Sequence, residues 1–358
     1  MKLPSDLAGA PVLKQRKIHY LIKAAGLLLG ISLIYWFASQ APLTEIWEQL
    51  KRFNVKIVFV IAVTFIAYMM VTIGWKLSFY RFPGHLSMMQ LFLVWQIGES
   101  LAQINPTNVI AGDALKAILL KREKVPYKDS IVSLTILRFL TLLAALPVML
   151  IGAYLFFDQI KIRANSASLA AAIAILFALL IFLLYRMGSG KGILSPAIRI
   201  FLLLQKRFPD SERITRSIDN LKEVDGELSD FYKTKKVNFM AAFLLSFVSW
   251  LMGAVEFYVI LKFLGLETSF LSCIAIAVGV MIFKALGTFV PGQIGIEEYA
   301  SKIMLEFVNV PGAGVWITVS ILRRARQVFW IGVGVIVFLL FLRNTRRHDD
   351  GKTVHNPL

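Results

Sequence analysis

Cysteine is nearly missing from this chain. Of 358 residues only Cys273 is one, and it lies inside an apolar block, which excludes an intrachain disulfide and a cysteine-rich metal site. Histidine is almost as scarce. His19, His85, His348 and His355 all fall outside the long apolar blocks, so no buried His-metal or Ser-His-Asp constellation is expected. No cofactor motif is visible, and the expected cofactor set is empty. Charge is also thin: Asp, Glu, Lys and Arg make up 17% of the chain and hydrophobic residues 57%, against about 25% and about 45–50% in soluble domains. A soluble globular protein is excluded.

What the chain has instead is hydrocarbon in blocks. Stretches of roughly 20 or more apolar residues, enough for a helix to cross a core about 30 Å thick, occur at 20–39, 55–76, 129–157, 167–186, 238–264 and 313–342. Six full spans are expected. Two further blocks, 87–105 and 270–290, are broken by Pro106 and Pro291 before they are complete. The first block starts near residue 20, is too long for the apolar region of a signal peptide and lacks a small-x-small cleavage site, so it reads as a retained helix.

The net charge of +17 follows from topology. With the N-terminus inside, the cytoplasmic segments 1–23, 76–87, 112–128, 186–237 and 343–358 hold 27 of the 39 Lys and Arg residues, as short inside loops do. Nucleic acid is not an expected partner. This orientation holds only if 87–122 dips in from the cytoplasm and 270–309 dips in from the outside, so both read as re-entrant hairpins. The connector 187–237 reads as two amphipathic helices at the cytoplasmic face, the first with Ser195 as N-cap and Pro196 at its first position.

A shift of 185 residues lays the chain on itself without gaps. Pro106 meets Pro291, Asp113 meets Glu298, Val125-Pro126 meets Val310-Pro311, and Leu134-Thr135-Ile136-Leu137-Arg138 meets Val319-Ser320-Ile321-Leu322-Arg323. Apolar composition does not supply matched prolines, acids and arginines. The repeats run about 55–157 and 238–342, each reading as span, broken hairpin, span, and the hairpins enter from opposite sides. Such inverted repeats with discontinuous helices are a recurring transporter architecture.

Ionisable groups at membrane depth are costly and face cavities or one another. The candidate cavity residues of the first half are Glu99, Asn105, Pro106, Asn108, Gly112, Asp113, Lys116 and Arg138. Those of the second half are Lys284, Pro291, Gly292, Gln293, Gly295, Glu297, Glu298 and Arg323. Glu99 and Lys284 occupy equivalent positions with opposite charge and are expected to pair. Arg138 and Arg323 offer guanidinium forks either to Asp113 or Glu298 or to an anionic headgroup. Arg323, Arg324 and Arg326 together also fit an interface anchor. The helices restarting near Gly112 and Gly295 place Asp113 and Glu298 where a carboxylate caps a helix start.

The stretch Val290-Pro291-Gly292-Gln293-Ile294-Gly295-Ile296-Glu297-Glu298 resembles the Pro-Gly-Gly-Leu-Gly-x-Arg-Glu signature of the lysylphosphatidylglycerol synthase transmembrane region family, also called the flippase-like domain. Pro106 with Gly112, Asp113 and Lys116 resembles its earlier Pro…Gly-Glu/Asp-x-x-Arg element. Three positions depart: Gln293 replaces glycine, Glu297 stands where arginine is usual, and Lys116 replaces arginine. The resemblance covers roughly 20–342 and implies a membrane domain that moves a lipid or lipid-linked substrate between leaflets. The best-known members carry a soluble aminoacyl-transferase domain, whereas only a short polar tail follows residue 342 here, so lipid aminoacylation by this chain alone is not expected.

The expected molecule is thus an all-α polytopic protein of the bacterial-type inner membrane, with six spans and two opposed re-entrant hairpins in an inverted-repeat architecture. Residues 1–19 and 343–358 are cytoplasmic and 20–342 form the flippase-like domain. The expected activity is translocation of a phospholipid or polyprenyl-linked lipid with an anionic headgroup, and no catalytic residues are assigned. Two alternatives stay open: a non-catalytic component partnered with a cell-envelope biosynthesis enzyme, and a membrane enzyme using Glu297 and Glu298 on a lipid.

Overall fold

The computed structural model describes residues 53–104, 109–159, 194–207, 211–287, 293–310 and 314–353, with isolated positions elsewhere between 48 and 312. Every regular element among the described residues is helical. After a single 3-10 turn, Asn54–Lys56, come α1 (Ile57–Leu77), α2 (Met88–Ile104), α3 (Val109–Arg122) and α4 (Tyr127–Gln159). The connector supplies α5 (Ser195–Arg207) and α6 (Glu212–Thr234). Then follow α7 (Lys236–Phe263), α8 (Phe270–Leu286), α9 (Ile296–Phe307) and α10 (Val315–Thr353).

Four helices are long and apolar enough to cross a membrane: Asn54–Leu77, Tyr127–Phe156, Lys236–Phe263 and Val315–Phe341. The protein is an integral, multi-pass membrane protein. The span expected at 20–39 lies outside the described residues, and of the one at 167–186 only scattered positions are described, each of them helical. Both broken blocks are short helices, α2 and α8, and each stops before its proline. Local chemistry marks several ends. Ser269 N-caps α8 by accepting the Ser272 N–H at 3.0 Å, which satisfies one of the orphan donors of a first turn. Asp129 lies in the first turn of α4, where a carboxylate suits the helix dipole.

Long, short, short, long is the order of α1 to α4 and again of α7 to α10. The packing is reciprocal. Helix α1 lies against α7, while α4 crosses to pack on α7 and α8, and α10 crosses to pack on α2. Glycine permits both crossings: a Cβ on Gly152 of α4 would lie 2.5 Å from Val278 of α8, and one on Gly334 of α10 would collide with Ser100 and the Gln96 carbonyl of α2. Small residues at such contacts let helices approach where no hydrophobic force drives association. Tryptophans tie these helices to their neighbours, with Trp330 Nε1 of α10 donating to Thr64 Oγ1 of α1 at 2.8 Å, Gln96 Nε2 of α2 donating to the Trp330 carbonyl at 2.8 Å, and Trp250 Nε1 of α7 donating to the Thr141 carbonyl of α4 at 3.0 Å. Outward faces carry large apolar side chains, among them Phe59, Ile66, Val328 and Ile336, as a lipid-facing surface requires.

The connector docks on one end of this bundle. Phe231 and Leu228 of α6 are buried with Phe239 of α7, Tyr80 donates to the Glu227 carbonyl at 2.9 Å, and Asp225 accepts the Leu194 N–H at 2.8 Å. Burial, helped by the Asp230 and Glu227 carboxylates, pushes the Tyr80 phenol above its ordinary range. Helix α5 exposes Ile200, Leu202 and Leu203.

The α2–α10 seam yields a paired expectation. Gly334→Ala must separate the helices and is expected to cost about 1–3 kcal/mol, whereas Gly332→Ala, with open space around it, should be neutral or slightly stabilising. Thermal unfolding followed by size-exclusion of the detergent-solubilised protein distinguishes them; equal losses would show that the seam does not limit stability.

Candidate functional site

The first charged cluster is built where α2 and α3 touch. They cross so closely that a Cβ on Gly98 would lie 2.7 Å from the Gly112 carbonyl, which brings Glu99 opposite Lys116. Lys116 is fully buried, its Nζ 3.1 Å from Asp113 Oδ1, 3.5 Å from Glu99 Oε2 and 3.7 Å from the centre of the Trp95 ring. Arg138 comes from α4 and grips Asp113 with two bonds, Nε to Oδ2 and Nη2 to Oδ1, both 2.8 Å. This fork is the strong form of the interaction. Two cations face two carboxylates, and an indole face covers the lysine.

The second cluster joins α7, α8, α9 and α10. Glu297 of α9 receives Lys284 Nζ at 3.4 Å on one oxygen and Arg323 Nη2 at 3.0 Å on the other. Glu256 of α7 lies 3.5 Å from Arg323 Nε and 3.3 Å from Arg326 Nη1. Glu298 binds Arg324 Nε at 2.6 Å and also accepts the Gly295 N–H at 2.8 Å, capping α9 while pairing. Arg324 Nη2 reaches the Gln293 carbonyl at 3.1 Å. Arg323 stacks on Phe257, its guanidinium carbon 4.4 Å from the ring centre. Tyr68 of α1, whose hydroxyl accepts from Gln103 at 3.1 Å, lies within electrostatic reach of Glu99 in one cluster and of Arg326 and Glu256 in the other.

Beside the second cluster is a cavity of about 540 Å³ where α4, α7 and α8 meet. Its walls are apolar, with Trp250, Ala254, Phe257, Ala277 and Met281 among them, while Lys284, Gln293 and Arg323 supply its polar lining. Leu142 at its margin is 69% exposed, so the cavity opens sideways toward the surroundings of the bundle.

Most candidate residues gather in these two clusters, but several pairings differ from expectation. Glu99 and Lys284 each find a partner in their own half, Lys116 and Glu297 respectively, instead of each other. Arg138 holds Asp113 as expected, yet Glu298, the equivalent of Asp113, is held by Arg324 and not by Arg323. Adjacent helical positions point about 100° apart, so Arg323 turns to Glu297 and Glu256. The three arginines are not interface anchors, since all pair with carboxylates inside the bundle. Gly112 lies inside α3, which starts at Val109, so it marks a close crossing and no helix start. Asn105, Pro106, Asn108, Pro291 and Gly292 lie outside the described residues.

Glu256 and Trp95 were missed. Glu256 announces itself in the sequence as a lone carboxylate deep in an apolar span, which is costly enough to demand a partner. Trp95 carries no such mark, because an indole in an apolar helix reads as packing.

A family model for the lysylphosphatidylglycerol synthase TM region matches residues 23–336. The chain belongs to that family. No curated protein and no solved structure matches it. Within the family signature, the departure at Gln293 now has a geometry. Gln293 has φ +52°, a left-handed conformation that glycine adopts freely and glutamine does not. Its side chain donates to the Lys284 carbonyl at 2.9 Å, tying the turn before α9 to the end of α8. Gly295, with φ +83°, is the N-cap of α9.

Glu256→Gln should destabilise the protein by about 3–5 kcal/mol, because it removes the carboxylate that pairs with buried Arg326 and one of the two that pair with Arg323. Glu306→Gln removes only the exposed end of a 3.9 Å pair with Lys302 and should change stability by about 0.5 kcal/mol or less. Thermal unfolding midpoints in one detergent decide the matter; equal midpoints would show that the Glu256 pairs carry no net stability.

Proposed function

We propose that this family member is a lipid translocase, moving a phospholipid or polyprenyl-linked lipid with an anionic headgroup between leaflets. The observation that carries the reading is the pair of ion clusters, each fastening a hairpin of two short helices to the long helix of its own half, with a laterally open cavity beside one of them. Ion pairs in low dielectric are strong when made and costly when broken. Packed interfaces of this kind switch between discrete arrangements and do not deform continuously. A headgroup that competes for the cations can therefore release a hairpin, while its hydrocarbon chains stay in the bilayer.

In this reading the two hairpins are re-entrant and enter from opposite faces, and the chain has six spans with both termini cytoplasmic in a bacterial-type cell membrane. The reciprocal packing of α4 on α8 and α10 on α2 supports an inverted repeat, the arrangement that exposes one site alternately to each side. The protein is no enzyme: its paired carboxylates are engaged by arginines and lysine, which suits holding charge and not shuttling protons. Lipids are its partners, and nucleic acid is not.

Reconstitution in vesicles bearing a fluorescent phospholipid, with a membrane-impermeant quencher outside, tests this. Wild-type protein should expose inner-leaflet lipid to the quencher. Arg138→Gln should slow exposure by about tenfold or more, the factor for one lost charge-assisted contact, and Arg138→Lys should fall between. A folded Arg138→Gln protein with the wild-type rate would sink the proposal. Topology has its own check on a Cys273→Ser background: Glu48→Cys should react with impermeant maleimide from outside the cell, and Lys206→Cys only after permeabilisation. The opposite pattern would invert the assigned orientation.

A further inference from the structure

The connector has one face that its neighbours leave uncovered. Among the described residues α5 packs mainly on α6. It turns Ile198 inward, and Gln205 donates to Thr215 Oγ1 of α6 at 3.0 Å. Its outward side carries Ile200, Leu203 and Leu204, spaced three and four residues apart and so on one face of the helix. Ile200 is 59% exposed and Leu203 65%. On α6 the outward residues are instead Glu212, Arg216, Asp219 and Lys222. Apolar exposure thus belongs to α5 and not to the connector at large.

Cations border that face. Arg199, Leu203 and Lys206 follow one another at helical spacing along a single row, and both cations are exposed. With Leu202 and Leu203 they border a shallow groove of about 620 Å³. Charge and hydrocarbon therefore stand side by side on the open part of the helix.

The level of α5 is fixed by what it is tied to. The apolar stretch 167–186 ends at Arg186, whose guanidinium donates to the Gly192 carbonyl at 2.7 Å and to Ser195 Oγ at the first residue of α5. Leu194 N–H bonds Asp225 at 2.8 Å, which fastens the same end to α6. Helix α6 in turn stops at Thr234, one residue before the membrane-crossing α7 starts at Lys236. Helix α5 thus starts within a side chain's reach of the point where an apolar stretch ends. Directed away from the bilayer, it would hold its apolar face in water, and exposed faces of that kind mark interaction sites. Laid along the bilayer surface, it buries the same face.

We infer that α5 is a membrane-surface helix that docks on an anionic phospholipid leaflet. Ile200, Leu203 and Leu204 enter the boundary of the acyl chains, while Arg199 and Lys206 meet lipid phosphates at the level of the headgroups. A helix with one apolar face and basic residues beside it binds in this way, through buried apolar area together with attraction to anionic lipid. Little binding energy is required, because attachment to membrane-crossing helices presents the surface at high effective concentration. The inference needs only a chain that crosses a membrane. It holds for either orientation and whether or not lipid is moved.

The test uses the full chain on a Cys273→Ser background, with Leu203→Cys or Ile200→Cys labelled by an environment-sensitive fluorophore. The protein is reconstituted in vesicles of phosphatidylcholine with or without phosphatidylglycerol, and quenching by lipids bearing a nitroxide high on the acyl chain is recorded. Both labels should emit blue-shifted and be quenched, and a label at Lys222→Cys on α6 should do neither. In the anionic vesicles Lys206→Gln should lower the ratio of docked to undocked label about fivefold, the factor for one basic residue near such a surface. In phosphatidylcholine alone it should change little. Aqueous emission without quenching at both labels would overturn the inference. Blue-shifted emission without quenching would overturn it in favour of a protein cover, from this chain or a second copy. Quenching indifferent to phosphatidylglycerol and to Lys206→Gln would overturn it in favour of insertion without headgroup recognition. None of these readouts involves lipid movement, so failure here and failure of the translocase reading are told apart.

Discussion

A charge in hydrocarbon must bring its counter-charge with it, and this constraint organises the molecule. At about 4 Å and an effective dielectric near 20, two unit charges interact by about 4 kcal/mol, more than most single packing contacts. No helix here satisfies its own buried charges entirely. Lys116 and Asp113 share α3, but Glu99 arrives from α2 and Arg138 from α4. Arg323 and Arg326 of α10 depend on Glu256 of α7, and Glu297 of α9 depends on Lys284 of α8. The carboxylates thus specify which helices stand together in a solvent where apolar burial specifies little.

The same constraint explains how much could be read beforehand. Long apolar runs made the spans at 55–76, 129–157, 238–264 and 313–342 legible to within a few residues of the helices observed, and prolines made the broken blocks legible as short helices. The pair Asp113 with Arg138 followed from the 185-residue offset, because a matched acid and a matched arginine in apolar surroundings have few other uses. The offset misled at Arg323. A sequence repeat preserves residue types, but which of two adjacent arginines meets a given acid depends on helix rotation, and one residue is a large part of a turn. Glu256 needed no repeat at all, only the rule that a lone acid in a span has a partner. Which cations share Glu297 depends on the crossing of four helices and was not in the sequence in readable form.

The two sets of four helices follow one order but differ in detail. Both have the same order of helices and a glycine where the fourth helix crosses into the other half, Gly152 and Gly334. What differs is the chemistry between them. The first half buries its lysine completely under Trp95, while the second leaves Lys284 about one-third exposed and beside a cavity. The lysine of the first half is thus sealed among its partners, whereas that of the second stands at the edge of open space.

The reciprocal crossing of α4 and α10 bears on how the protein is made. Helix α4 leaves the ribosome more than a hundred residues before α8, against which Gly152 is meant to pack. Until then Gly152 and Arg138 have only first-half neighbours, so the Asp113 fork and the 3.0 Å bond from Trp75 Nε1 to Ser133 Oγ are contacts that can hold α4 in register during synthesis. The seam between α2 and α10 can close only after α10, the last helix, has been made. Cutting the chain within the connector would leave each half presenting a seam that the other closes, α4 against α7 and α8, and α10 against α2.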